Sequence, residues 1–234
     1  MGTSLEIINQ LKINRQRAKR ENELVADWIK PWSIYGSGYF DYERGFGINR
    51  GSLLDLVKEI RLEKEKRKNE NDKTMVFGVD LFSDPTCLRS LSIGGVAVGL
   101  ADHRNRKERE EDLKNGRMMV AGDLLLDKTW IRIKESFEKL GINGADLVTS
   151  SPSGGLNHIT ANKGIHFDLL SKAYSLLADQ GYLFWTMQWR DIKQMNWYAE
   201  WIYNLTDGRI EIWFPEEQTL IIHKCPGAPE VLCK

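Results

Sequence analysis

From Thr74 onward, short apolar runs alternate with amphipathic segments, and this alternation leaves few folds open to the chain. Met75–Leu81, Val96–Ala101, Met118–Ala121, Asp146–Ser150 and Tyr182–Met187 read as strands. Between them, Pro85–Leu91 begins a helix. Trp130, Ile133, Phe137 and Leu140 mark a helical face stopped by Gly141. Phe167, Leu170, Tyr174 and Leu177 mark another, stopped by Gly181, and Ile192, Met195, Ala199 and Ile202 a third. The stretch DHRNRKEREEDLKNGR reads as an exposed charged excursion. Strands joined through helices run parallel and are covered on both faces, and right-handed crossovers make the sheet doubly wound. The ending differs. RIEIWF and TLIIHK are separated only by PEEQ, so short a link that the two must form an antiparallel hairpin. The expectation is an α/β fold with a doubly wound, mostly parallel seven-stranded sheet, an antiparallel last strand and an N-terminal helical extension.

The extension covers residues 1–50 and the α/β domain residues 51–234. In the extension, LEIINQL offers an apolar helical face and KINRQRAKR, Lys12–Arg20, a basic run whose ordinary place is solvent. Alternating glycines and aromatics in YGSGYFDYERGFG, Tyr35–Gly47, read as a loop, either a lid or a connector. A helix then starts at Ser52, with Asp55 three residues on and Leu53, Leu56, Val57 and Ile60 on one face. It runs out into the polar stretch EKEKRKNENDK.

Composition narrows the function classes. Lys and Arg number 33, as do Asp and Glu, so no net field favours nucleic acid or acidic substrates. Cys87, Cys225 and Cys233 are few and widely spaced, which speaks against a disulfide framework and for a reducing, cytoplasmic setting. The four histidines lack zinc-site spacing, so no metal is expected. No apolar run is long enough for a membrane span, and no signal-like segment opens the chain. Trp185, Trp189, Trp197, Trp201 and Trp213 crowd one region, as core packing or as an aromatic pocket.

Ligands of open α/β sheets bind beyond the carboxyl ends of the strands. Those ends carry Asp80 in VDLFSDPT, Asp102 in GLADHR, Asp123 in VAGDLL, and Ser150 in TSSPSGG. The three acids are expected around one hollow. An acid after the second strand can accept both hydroxyls of a ribose, and one after the third can accept from an exocyclic amine. The plainer role of each is to cap a loop or the following helix.

The order of these segments resembles the class I S-adenosylmethionine-dependent methyltransferases over roughly residues 50–224. VDLFSDPT is similar to their first motif, and its opening DLF to that of several nucleic-acid methyltransferases; GLADHR, VAGDLL and DLVTSSPSGG follow the second to fourth. LLADQGYLFWTM is similar to their helix–Gly–fifth strand unit. The resemblance implies binding of S-adenosylmethionine by Asp80, Phe82, Ser83, Asp84, Asp102, Gly122, Asp123 and Ser150. Asp102 would hold the ribose and Asp123 approach the adenine. Ser151, Pro152 and Ser153 are compared with the Asp/Asn/Ser-Pro-Pro-aromatic turn of amino-group methyltransferases, without its second proline and aromatic. The departure is in the first turn, where Phe82, Asp84 and Thr86 stand in place of glycines that let backbone approach the cofactor. Asp84-Pro85 also reads as a helix cap followed by a first-turn proline. No G-x-S-x-G elbow, Walker loop or G-x-G-x-x-G is present. The expected function is methyl transfer to an unknown acceptor. The alternatives are a methyltransferase-fold scaffold with a decayed site, and nucleic-acid association through Lys12–Arg20.

Overall fold

A computed structural model describes residues 53–67, 75–82, 84–150, 163–186, 200–204, 209–216 and 219–232. The extension 1–50, Ser83, the Ser151–Ser153 turn and most of the helix expected around Ile192–Ile202 lie outside the described residues.

The elements run α1 (Leu53–Arg67), β1 (Phe77–Leu81), α2 (Thr86–Ser90), β2 (Gly94–Gly99), α3 (Arg106–Lys114) and β3 (Arg117–Ala121). They continue α4 (Asp127–Leu140), β4 (Ala145–Ser150), α5 (Lys163–Tyr174), β5 (Leu177–Thr186), β6 (Ile210–Glu216) and β7 (Thr219–Lys224). The sheet has seven strands in the order β3-β2-β1-β4-β5-β7-β6. All neighbours from β3 to β5 pair in parallel. Strand β7 is antiparallel to both β5 and β6, so it alone is reversed and the hairpin expected from the short link is present.

Alternation along each strand sorts side chains into two cores. Val79, Leu81, Val98, Val120, Val148, Leu183 and Trp185 pack with Ile133 and Phe137 of α4 and Leu170 and Tyr174 of α5. On the other face Ala97, Leu147, Phe184 and Ile221 pack with Leu53, Leu56 and Val57 of α1 and Leu88 of α2. Lys64 of α1 reaches Asp146 at the start of β4, 2.5 Å away, and the same carboxylate accepts from the Phe77 N–H at 2.8 Å. The amino edge of the sheet is thereby tied to α1.

Two elements depart from the sequence reading. The charged stretch after β2 is not an excursion: it folds as α3, opened by a capping box between Asn105 and Glu108. Its inward residue is Asp112, 1 % exposed, held by Arg89 at 2.6 and 2.8 Å and by Arg104 at 2.7 Å. An inward face made of an ion pair has no hydrophobic period to read. Burial alone would raise the Asp112 carboxyl, but hydrogen bonds from Arg89 and Arg104 outweigh it and hold it below the usual carboxylate range. The second departure is at Gly181, expected to end a helix. Helix α5 ends at Tyr174 and β5 already pairs at Leu177, opposite Ala145. The pairing resumes at Tyr182 opposite Leu147, so Gly181 belongs to a bulge whose Gln180 takes φ 64°. Gly141 does cap α4, in the left-handed conformation with φ 68°.

Strands β1 and β2 approach closely at Gly78 and Gly95, which face each other in register. A side chain on Gly95 would run into the Gly78 backbone, and its φ of 138° disfavours one as well. Gly95→Ala is expected to cost more than about 3 kcal/mol or to abolish folding, read by urea denaturation. A loss within about 0.5 kcal/mol would contradict the close approach.

Candidate functional site

The chain lays down β1, β2 and β3 outward in one direction, then returns to place β4 on the other side of β1. The carboxyl ends of β1 and β4 therefore flank the point where strand order reverses, the crevice in which open α/β sheets bind ligands. Leu81, the last residue of β1, is in register with Ser150, the last of β4, and Ser150 with Trp185 of β5.

The turn after β1 borders this edge. Phe82 has φ 71°, the left-handed region that costs an L side chain about 1–2 kcal/mol and that glycine enters freely. It stands two residues after Asp80, at the position of the first glycine in the motif VDLFSDPT resembles. Packing holds the turn there: the Phe82 ring lies against the core under α4 and α5. The strand order and the reversed β7 are those of the doubly wound, mostly parallel sheet expected from the sequence. Beyond Phe82, the exposed Asp84 carboxylate accepts from the Thr86 N–H at 2.8 Å. The capping position itself falls one residue later than expected, at Pro85, so Asp84 serves the first helical N–H from outside the helix.

The three acids stand at the carboxyl ends of three adjacent strands, each with a partner of its own. Asp80, on the face of β1 opposite Leu81, is 2 % exposed and accepts from the Thr149 hydroxyl at 2.8 Å. Asp102 lies three residues past β2, and both its oxygens accept from the Arg104 guanidinium, at 2.9 and 3.0 Å. A third bond, at 3.1 Å, comes from the Arg104 N–H. The Arg104 hydrogen bonds hold the Asp102 carboxyl below its ordinary range, so it is ionised at neutral pH. Arg104 bridges Asp102 to Asp112, and its charge is maintained by both against burial. Asp123 accepts from the Leu125 N–H at 2.9 Å, the local loop-capping role. Gly122 is required where it stands, because a side chain would meet Thr129 of α4 at 2.7 Å.

Ser150 is fully buried, and its hydroxyl has no hydrogen-bond partner among the described residues. An orphaned polar atom beside the switch point is a place for a polar ligand or water to bond. Beneath it, the Trp185 indole N–H donates to His166 Nε2 at 2.7 Å, and the rings stack. Burial pushes the His166 imidazole down to about 3, so it is neutral. Sequence reasoning missed Thr149, Arg104 and His166, because their partners are fixed by strand register and loop closure rather than by spacing.

The chain matches no family model, and no curated protein matches it. Among solved structures, one similar chain is described as a ribosomal RNA methyltransferase from Plasmodium falciparum, at 10% identity and TM-score 0.44, covering 76% of this chain and 96% of that one. A methyltransferase homolog from Pyrococcus horikoshii is 11% identical with TM-score 0.41, covering 64% of this chain and 61% of its own. Magnesium protoporphyrin IX methyltransferase from Synechocystis, with bound S-adenosylmethionine, is 12% identical with TM-score 0.39, covering 87% and 96%.

The left-handed turn gives a direct check. Phe82→Ala and Phe82→Gly both remove the ring, but only glycine relieves the backbone. Phe82→Gly is expected to be the more stable of the two by about 1 kcal/mol in urea denaturation. Equal stabilities, or alanine ahead, would contradict the positive φ.

Proposed function

We propose that the edge between β1 and β4 binds S-adenosylmethionine and that the chain transfers its methyl group to an acceptor. The observation that supports this is the Phe82 turn: a left-handed residue between the central strand and its helix carries a cost in conformational energy of the kind that clusters at binding sites. Asp80, Phe82, Ser83, Asp84 and Ser150 would line the site beside the switch point. Asp102 would take the ribose hydroxyls, and Gly122 and Asp123 the adenine side. Bound there, the cofactor supplies an electrophilic methyl group. The chain's own task is then to bind and orient, since transfer from a sulfonium depends mostly on proximity and alignment.

The fit can be judged residue by residue. Asp102 is ionised, and its oxygens retain acceptor capacity beside Arg104, since each carboxylate oxygen has two lone-pair sites. Ser150 offers a buried hydroxyl. Asp84 is unfavourable to a cofactor carboxylate placed near the α2 end and favourable to an ammonium. Ser151, Pro152 and Ser153 would face the transfer centre on sequence grounds; a base is needed there only for a poorly nucleophilic acceptor. The acceptor is unknown, and nucleic-acid association through Lys12–Arg20 is a separate reading, tested by salt-dependent retention on RNA or DNA.

A second reading, a scaffold that keeps the fold without the chemistry, is favoured by one feature. Arg104 already takes both oxygens of Asp102, as a structural ion pair would.

Calorimetry with S-adenosylmethionine and S-adenosylhomocysteine separates the two. The proposal expects one-to-one binding, weakened at least about tenfold, roughly 1.4 kcal/mol, in Asp102→Ala. No heat and no thermal shift at millimolar ligand would remove the cofactor and leave the scaffold.

A further inference from the structure

The terminal hairpin brings three metal-ligating side chains together, two from its end and one from the facing strand. Glu211 of β6 is directly opposite His223 of β7. Cys225 follows His223 by two residues just past the end of β7, where strand alternation returns a side chain to the same face. The His223 Nδ1 and Glu211 Oε2 are 3.1 Å apart, and one ligand atom from each of the three residues lies within 4.8 Å of the others. We infer that Glu211, His223 and Cys225 form a binding site for a divalent cation of the zinc class.

The chemistry of the donor set argues for that class. One imidazole nitrogen, one carboxylate oxygen and one sulfur suit a borderline-soft tetrahedral ion and disfavour magnesium or calcium, which take oxygen alone. Bond lengths of about 2.0–2.3 Å put ligand atoms of a tetrahedral ion roughly 3.3–3.7 Å apart, so the trio closes on an ion with movements of about 1 Å. The carboxylate and a thiolate together balance a double positive charge. Three protein ligands leave the fourth position for water, the arrangement of an open site.

The surroundings prepare His223 for this role. The Tyr182 ring stacks on it, with centroids 4.2 Å apart and planes 6° from parallel, and strand register fixes that contact. The imidazole is therefore oriented before an ion arrives. Cys225 is tied to the hairpin as well: its N–H donates to the Arg209 carbonyl at 3.1 Å, and its carbonyl accepts from the Ala228 N–H at 3.1 Å. A thiol ligates as the thiolate, so metal binding releases a proton from Cys225. Sequence spacing alone points to no metal, because the ligands come from two strands and a single i, i+2 pair.

Cobalt(II), a spectroscopic stand-in for zinc, tests the site on the full-length reduced protein. The expected result is one equivalent bound, with a sulfur-to-cobalt absorption band in the near ultraviolet that zinc abolishes. Cys225→Ser should remove the band while leaving the far-ultraviolet circular dichroism unchanged. Glu211→Gln should weaken binding at least about tenfold with the band retained. No band in the parent protein, or a band that survives Cys225→Ser and so arises at Cys87 or Cys233, would overturn the assignment. If Cys225→Ser does not fold, an undiminished affinity in Glu211→Gln would do the same.

Discussion

The burial of β1 on both faces is the constraint from which the carboxyl edge follows. Its Val79 and Leu81 go under α4 and α5, while Asp80 on the opposite face is buried against Thr149. A strand enclosed in this way cannot slip by one residue without exchanging its apolar set for its polar one. Its end is therefore fixed, and with it the turn that carries Phe82. The neighbours reinforce this. Gly78 and Gly95 allow β1 and β2 to approach more closely than side chains permit, and Asp146 ties the amino ends of β1 and β4 to α1.

The charged residues do a second kind of work, joining layers that the apolar core does not reach. Arg89 of α2, Asp112 of α3 and Arg104 of the β2–α3 loop form one chain of ion pairs ending on Asp102. Removing one member of a buried group of this kind leaves a charge uncompensated, at a cost of about 3–5 kcal/mol. The same chain fixes where Asp102 points. Structure and proposed ligand binding thus meet in one carboxylate, whose oxygens any ligand would have to share with Arg104.

Much of the architecture is legible in the sequence because it follows hydrophobic period. Alternating strands, the face of α4, the Gly141 stop and the PEEQ hairpin are each a local signal with one physical meaning. What was illegible depends on contacts between distant segments. Helix α3 escapes because its buried residue is an aspartate answered by two arginines. The start of β5 escapes because a bulge at Gln180–Gly181 imitates a helix stop. Phe82 shows the limit for the site: its identity does not announce the left-handed backbone that it adopts. The cluster of Glu211, His223 and Cys225 is likewise a product of pairing register.

The central claim is a location: ligand binding at the carboxyl ends of the strands around β1, with the left-handed Phe82 turn at its centre. Backbone amide chemical shifts, followed by NMR as S-adenosylhomocysteine is added, test it most directly. The account predicts the largest changes in residues 80–86, 99–104 and 122–125 and at Ser150. Changes confined to the terminal hairpin, or none at saturating ligand, would contradict it.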